Sequence, residues 1–168
     1  MNIFLIGMMG SGKSSVGHSL SKHLTNTFYD LDKEVEKRFN LSIRDIFIEY
    51  GEDLFRKEEN KLLKELEISS DLIVSTGGGI VLSEENRTIL KKNKTYFLEA
   101  NIEDMYERAI KKENNRPLLK GMDITEFKEL YMRRRDLYVE SATITINVGK
   151  KSVEDLTIEI IENEKNII

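Results

Sequence analysis

The stretch Gly7–Ser15, GMMGSGKSS, follows the apolar run Ile3-Phe4-Leu5-Ile6. Its first eight residues match G-x-x-x-x-G-K-[ST] at every fixed position, between a predicted strand and a predicted helix, where a phosphate-binding loop has to lie. Glycines let backbone N–H groups wrap phosphate oxygens without Cβ clashes, and the helix N-terminus adds partial positive charge. Lys13 then reaches the β and γ oxygens, and Ser14 is a candidate magnesium ligand. Gly10, Ser11, Gly12, Lys13, Ser14 and Ser15 are therefore the candidate nucleotide contacts. The loop does not say whether the terminal phosphoryl goes to water, to a protein hydroxyl or to a small metabolite.

Outward from the loop, Leu72–Val74, Thr95–Leu98 and the alternating Ile144, Ile146 and Val148 read as further strands, separated by stretches with helical spacing. The rhythm predicts an α/β fold. Ser42 with Asp45, Asn101 with Asp104, and Ser152 with Asp155 are capping pairs three apart, and Gly51 stops the helix that Ser42 starts. From Phe55 to Leu66, the apolar residues Phe55, Leu62, Leu63 and Leu66 share one face of a helix. Pro117, the only proline, lies in ENNRPLLKGMD, a predicted loop between helices near residues 101–112 and 125–138 and a candidate lid over about 111–123.

The bulk composition narrows the function. With 168 residues the chain suits one domain, 1–168, able to bury about 70% of the surface of its unfolded form. At net charge −4, with Lys and Glu interspersed and no basic block to track a phosphate backbone, no nucleic-acid partner is expected. Two isolated histidines and no cysteine exclude thiolate metal sites and disulfides and suit a reducing, cytoplasmic setting. The short run Ile3–Ile6 is neither signal peptide nor membrane span, so no membrane partner is expected. No apolar stripe is left over for self-association, and a monomer is expected.

A GTP switch needs an N-K-x-D-like guanine reader; Asn93-Lys94-Thr95-Tyr96 ends in tyrosine within a predicted strand. Small-molecule phosphoryl transfer remains, and it needs an acceptor pocket. In Phe28-Tyr29-Asp30-Leu31-Asp32 two carboxylates lie two apart at the end of an apolar stretch. In extended backbone they point to the same side, one toward the water shell of magnesium and the other toward an attacking hydroxyl. Alternatively they start a helix as caps and dipole partners. Arg56 and Glu59, three apart on a helix, form either part of a site or a solvated surface pair. Ser75-Thr76-Gly77-Gly78-Gly79 ends a predicted strand and lets backbone approach a ligand at the carboxyl edge of the sheet. Of the adjacent Arg133, Arg134 and Arg135, at most one or two can face a single pocket.

In this order, G-x-x-x-x-G-K-S, D-L-D, F-R-x-x-E, G-G-G, R-P-L-L and R-x-x-L-Y-x-E-x-A resemble the shikimate kinase family from about Ile3 to Val148. The resemblance implies a P-loop fold of the nucleoside monophosphate kinase type, with a five-stranded parallel sheet flanked by helices, a substrate-binding region near 31–60 and a mobile lid. It also implies transfer of the ATP γ-phosphoryl to the 3-hydroxyl of shikimate, with Mg2+ bound to the nucleotide, on the route to chorismate. Lys13 and Ser14 then resemble the phosphate and metal residues, Asp30 the carboxylate that steadies the metal's waters, and Asp32 the catalytic carboxylate facing the substrate hydroxyls. Arg56 and Arg134 resemble the clamp on the shikimate carboxylate, with Gly78 and Gly79 offering backbone contacts. Ile43, Phe47 and Phe55 resemble the apolar wall, Arg116 the catalytic lid arginine, and Arg108 the residue flanking adenine. Ser15 stands where the family commonly has threonine, and Asp136 where it commonly has proline. Alternatives are a kinase of another small polyol acid, such as gluconate, and a non-catalytic nucleotide-binding regulator.

Overall fold

The computed structural model describes residues 2–111 and 119–166. Five parallel strands form one sheet in the order β2-β3-β1-β4-β5: β1 Ile3–Ile6, β2 Thr27–Asp30, β3 Leu72–Ser75, β4 Lys94–Glu99 and β5 Ile144–Asn147. All four residues of the central β1 are fully buried, so the strand that reads as a continuous apolar run is covered on both faces. The helices are α1 Lys13–Leu24, α2 Leu31–Phe39, α3 Ile43–Tyr50, α4 Glu52–Glu67, α5 Glu84–Lys92, α6 Ile102–Ile110, α7 Ile124–Ser141 and α8 Val153–Asn166, with a 3-10 turn at Ile80–Leu82.

Alternation along β4 sorts the helices between the two faces. Thr95 donates to the Leu90 carbonyl at the end of α5, and the Phe97 ring stacks on Tyr138 of α7 with centroids 5.1 Å apart. From the other face, Lys94 and Tyr96 both bond Glu164 of α8. α1 packs on α8. The connections leaving the adjacent strands β1 and β3, α1 and α5, thus run to opposite faces. They open a crevice at the strands' carboxyl ends, where ligands bind in open α/β sheets.

The capping pairs form as the sequence predicts: Ser42 accepts from Asp45 N–H, Asn101 from Asp104 N–H and Ser152 from Asp155 N–H. Gly51, at φ 84°, ends α3 and leads directly into α4. The extended reading of Asp30-Leu31-Asp32 is corrected. β2 stops at Asp30, whose side chain accepts from Lys33 N–H as the N-cap of α2, so Asp32 lies in a helical first turn. Leu31, fully buried, supplies the first core contact of that helix. Among the described residues no helix is long and apolar enough to cross a membrane.

Candidate active site

The loop from Gly7 to Gly12 joins β1 to α1. Gly12 caps α1 at φ 100°, and Gly10 lies at φ 81° with an added Cβ falling 2.1 Å from the Met105 carbonyl of α6. Only glycine fits position 10, because α6 passes directly over the loop. α1 has neither a capping side chain nor an acidic residue in its first turn, in contrast to α2, α3, α5, α6 and α7. Its leading N–H groups and the positive end of its dipole are left to an anion. Lys13, 8% exposed, donates from Nζ to the Gly7 and Met8 carbonyls at 2.8 and 2.9 Å, so its charge is held over the loop.

Ser14 Oγ donates to Asp30 Oδ2 at 2.9 Å and lies 3.2 Å from Ser75 Oγ, at the end of β3. Since the other oxygen of Asp30 caps α2, one carboxylate serves both as a helix cap and beside the phosphate loop. Ser14, Ser75 and Asp30 offer only hard oxygens, a donor set that fits Mg2+ retaining much of its water shell.

Past Ser75 the glycine loop turns back onto the phosphate loop, and a Cβ at Gly78 would lie 3.4 Å from Met9 N. Its far side meets α4 and α7. The Arg56 guanidinium lies directly against Gly79, where any side chain would collide with it. It donates from Nη1 to Glu59 Oε2 at 2.9 Å, from Nη2 to Glu52 Oε1 at 3.0 Å, and stands 5.1 Å over the Phe55 ring. Arg134, 5% exposed, donates to the Gly78 carbonyl at 3.3 Å, and the Tyr138 hydroxyl donates to the same oxygen. The neighbouring arginines turn away: Arg133 is exposed, and Arg135 pairs with Glu99 at 2.6 Å. Phe47 and Phe55 pack with centroids 5.1 Å apart and, with Ile43, make an apolar wall.

One cavity of about 530 Å³ joins the two ends of the site, and Gly10, Gly12, Lys13, Ser14, Ser15, Asp30, Asp32, Phe47, Phe55, Arg56, Gly78, Gly79 and Arg134 line it. Despite the change from strand to helix between them, Asp30 and Asp32 open into the same space. Ser11, within the loop, is fully buried and does not line the cavity, and Arg108 sits outside it, donating to the Gly10 carbonyl at 3.3 Å. Arg116 and most of the expected lid lie outside the described residues.

The sequence reading leaves Glu59 undecided between site and surface. In the structure it is 0% exposed and lines the cavity behind Arg56. Burial, with the Asp32 charge adding to it against the pull of Arg56, raises the Glu59 carboxyl to about 7. Arg56 keeps its charge in spite of burial because Glu59 and Glu52 bracket it. Its spacing from Arg56 was the one sequence signal for Glu59; Ser75 and Tyr138 carry none on their own.

A nucleotide-phosphate loop at one end of the cavity and two guanidiniums at the other, Arg134 buried and Arg56 half-buried, define a P-loop protein with the nucleoside monophosphate kinase type of fold. The family model for shikimate kinase matches residues 9–165. A shikimate kinase of Nitrosospira multiformis is 45% identical over 157 residues, 92% of this chain and 80% of that protein. One from Dictyoglomus turgidum is 41% identical over 166 residues, 96% of this chain and 95% of that protein. Among solved structures, shikimate kinase from Acinetobacter baumannii in complex with shikimate superimposes with a TM-score of 0.93 at 33% identity, over 98% of this chain and 93% of that one. The chain belongs to the shikimate kinase family.

Proposed function

We propose that this protein transfers the γ-phosphoryl group of ATP to the 3-hydroxyl of shikimate, giving 3-phosphoshikimate and ADP. The observation that carries the reading is the continuity of one cavity from Lys13 and Ser14, past Asp32, to Arg56 and Arg134. Shikimate is a small anion with three hydroxyls. Two guanidiniums suit its carboxylate, Phe47, Phe55 and Ile43 suit its ring, and a carboxylate suits its hydroxyls.

In this reading Lys13 and the N–H groups of the loop hold the β and γ phosphates. Ser14 and Asp30 hold Mg2+ and its waters, and bound Mg2+ supplies charge neutralisation on the phosphate oxygens. Arg56, Arg134 and the Gly78–Gly79 backbone fix the acceptor by its carboxylate. Asp32 accepts a hydrogen bond from the attacking hydroxyl and then its proton. A loose, metaphosphate-like transition state asks for that positioning more than for a strong base. The family resemblance assigns the γ-phosphate to Arg116, which lies outside the described residues, and the adenine to Arg108.

ADP release is the test. Shikimate should stimulate it strongly in the presence of Mg2+ and ATP, whereas gluconate, nucleosides and water should not. Stimulation by gluconate would favour the other polyol-acid kinase, and no stimulation by any acceptor would favour a nucleotide-binding regulator.

A further inference from the structure

We infer that Gly77, which neither the phosphate loop nor the arginine clamp uses, is a positioning residue whose missing side chain sets where the Asp32 carboxylate stands. The inference rests on the proposed role of Asp32 as proton acceptor. Gly77 is buried, and its φ lies outside the left-handed region, so its backbone makes no demand for glycine. The demand comes from two side chains. A Cβ at this position would lie 2.6 Å from Asp32 Oδ1, 3.0 Å from Glu59 Oε1 and 3.4 Å from Asp32 Cγ. Gly10 differs, since there both φ and the backbone of α6 exclude a side chain.

The two carboxylates differ in the room around them. Glu59 is fully buried, and its Oε2 is tied to Arg56 at 2.9 Å. Asp32 is half-buried and faces the open cavity. An added methyl therefore presses Asp32 outward by several tenths of an ångström, until its oxygen stands at normal contact distance. That displacement carries the oxygen into the space of the acceptor hydroxyl, where a misplacement of this order is felt in rate before it is felt in stability. The absent side chain at 77 thus fixes the distance between the catalytic carboxylate and the reacting oxygen.

A double-mutant cycle of Gly77→Ala with Asp32→Asn tests this, together with a crystal structure of Gly77→Ala. Gly77→Ala should lower kcat by roughly tenfold to a hundredfold, with melting temperature and Mg-ATP affinity held. In the Asp32→Asn background, where no proton acceptor remains to be misplaced, the same substitution should change kcat by less than about twofold. The crystal structure should show Asp32 displaced and the Arg56–Glu59 pair kept. Equal losses in both backgrounds would make the effect merely structural and overturn the inference. So would a wild-type rate, an unmoved Asp32, or a variant that fails to fold, which would put the need for glycine in the backbone. If wild-type protein fails to respond to shikimate, the proposed function falls, while the position of Asp32 in the variant crystal still decides the steric claim.

Discussion

Nη1 of Arg56 donates to Oε2 of Glu59 at 2.9 Å, and the other oxygen of this fully buried carboxylate has no hydrogen-bond partner among the described residues. The pair is three residues apart on α4, as on any solvated helix, yet one member lies inside the molecule. Glu59 therefore holds Arg56 from behind and leaves the open side of the guanidinium toward the cavity.

Arg56→Lys should raise the shikimate KM. An ammonium cannot reproduce planar bidentate pairing with a carboxylate, and the loss of a charge-assisted hydrogen bond, on the order of 1.5 to 3 kcal/mol, corresponds to roughly tenfold to a hundredfold. Mg-ATP affinity should barely change. Steady-state kinetics with each substrate varied in turn checks this, and an unaltered shikimate KM would remove Arg56 from the clamp.

The elevated Glu59 carboxyl makes stability depend on pH. Its folded value is about 7 against an ordinary 4.5. Below the lower value both states carry the proton and there is no penalty. As pH rises between the two, the unfolded chain releases its proton first, so the folded state loses stability until the penalty levels off above about 7. Glu59→Gln lacks this dependence. The difference in melting temperature, wild type minus variant, should therefore fall as pH rises from about 4.5 to about 7 and be flat above; a flat difference throughout would contradict the assignment.

Asp30 serves two neighbours at once, Ser14 through Oδ2 and the first turn of α2 through Oδ1. Asp30→Asn keeps a capping oxygen, so stability should change by less than about 1 kcal/mol. The rate at low Mg2+ should fall and recover partly with excess metal. Rates across a Mg2+ titration, beside thermal melts, check both halves.

The three adjacent arginines of α7 should separate cleanly. Arg134→Lys should raise the shikimate KM about as much as Arg56→Lys. Arg133→Lys should leave it unchanged, and Arg135→Lys should weaken only a solvent-screened pair with Glu99 and leave it unchanged too. Identical behaviour of all three would contradict the burial that singles out Arg134.

The features legible in the sequence are those whose cause is local. The phosphate loop declares itself because glycine, lysine and serine are needed at fixed spacing. The caps at Ser42, Asn101 and Ser152 declare themselves because a side chain reaches its own helix. The α4 face of Phe55, Leu62, Leu63 and Leu66 is visible in its period. Between the extended and helical readings of Asp30–Asp32 the local pattern could not decide; capping by Asp30 and burial of Leu31 favour the helix. The burial of Glu59 was illegible for a different reason. In R-K-E-E it looks like any charged helix surface, and the glycine loop that lies against it arrives eighteen residues later in the chain. The choice of Arg134 over its neighbours likewise depends on where α7 crosses Gly78, a contact across 56 residues.

The central claim is that the γ-phosphoryl leaves ATP for one hydroxyl of shikimate, and phosphorus NMR of the reaction mixture tests it most directly. Incubation with Mg2+, ATP and shikimate should produce ADP and a single new phosphomonoester signal in equal amounts, with its phosphorus coupled to the ring proton on C3. Inorganic phosphate as the only product beside ADP, or a phosphomonoester coupled to a different ring proton, would contradict the account.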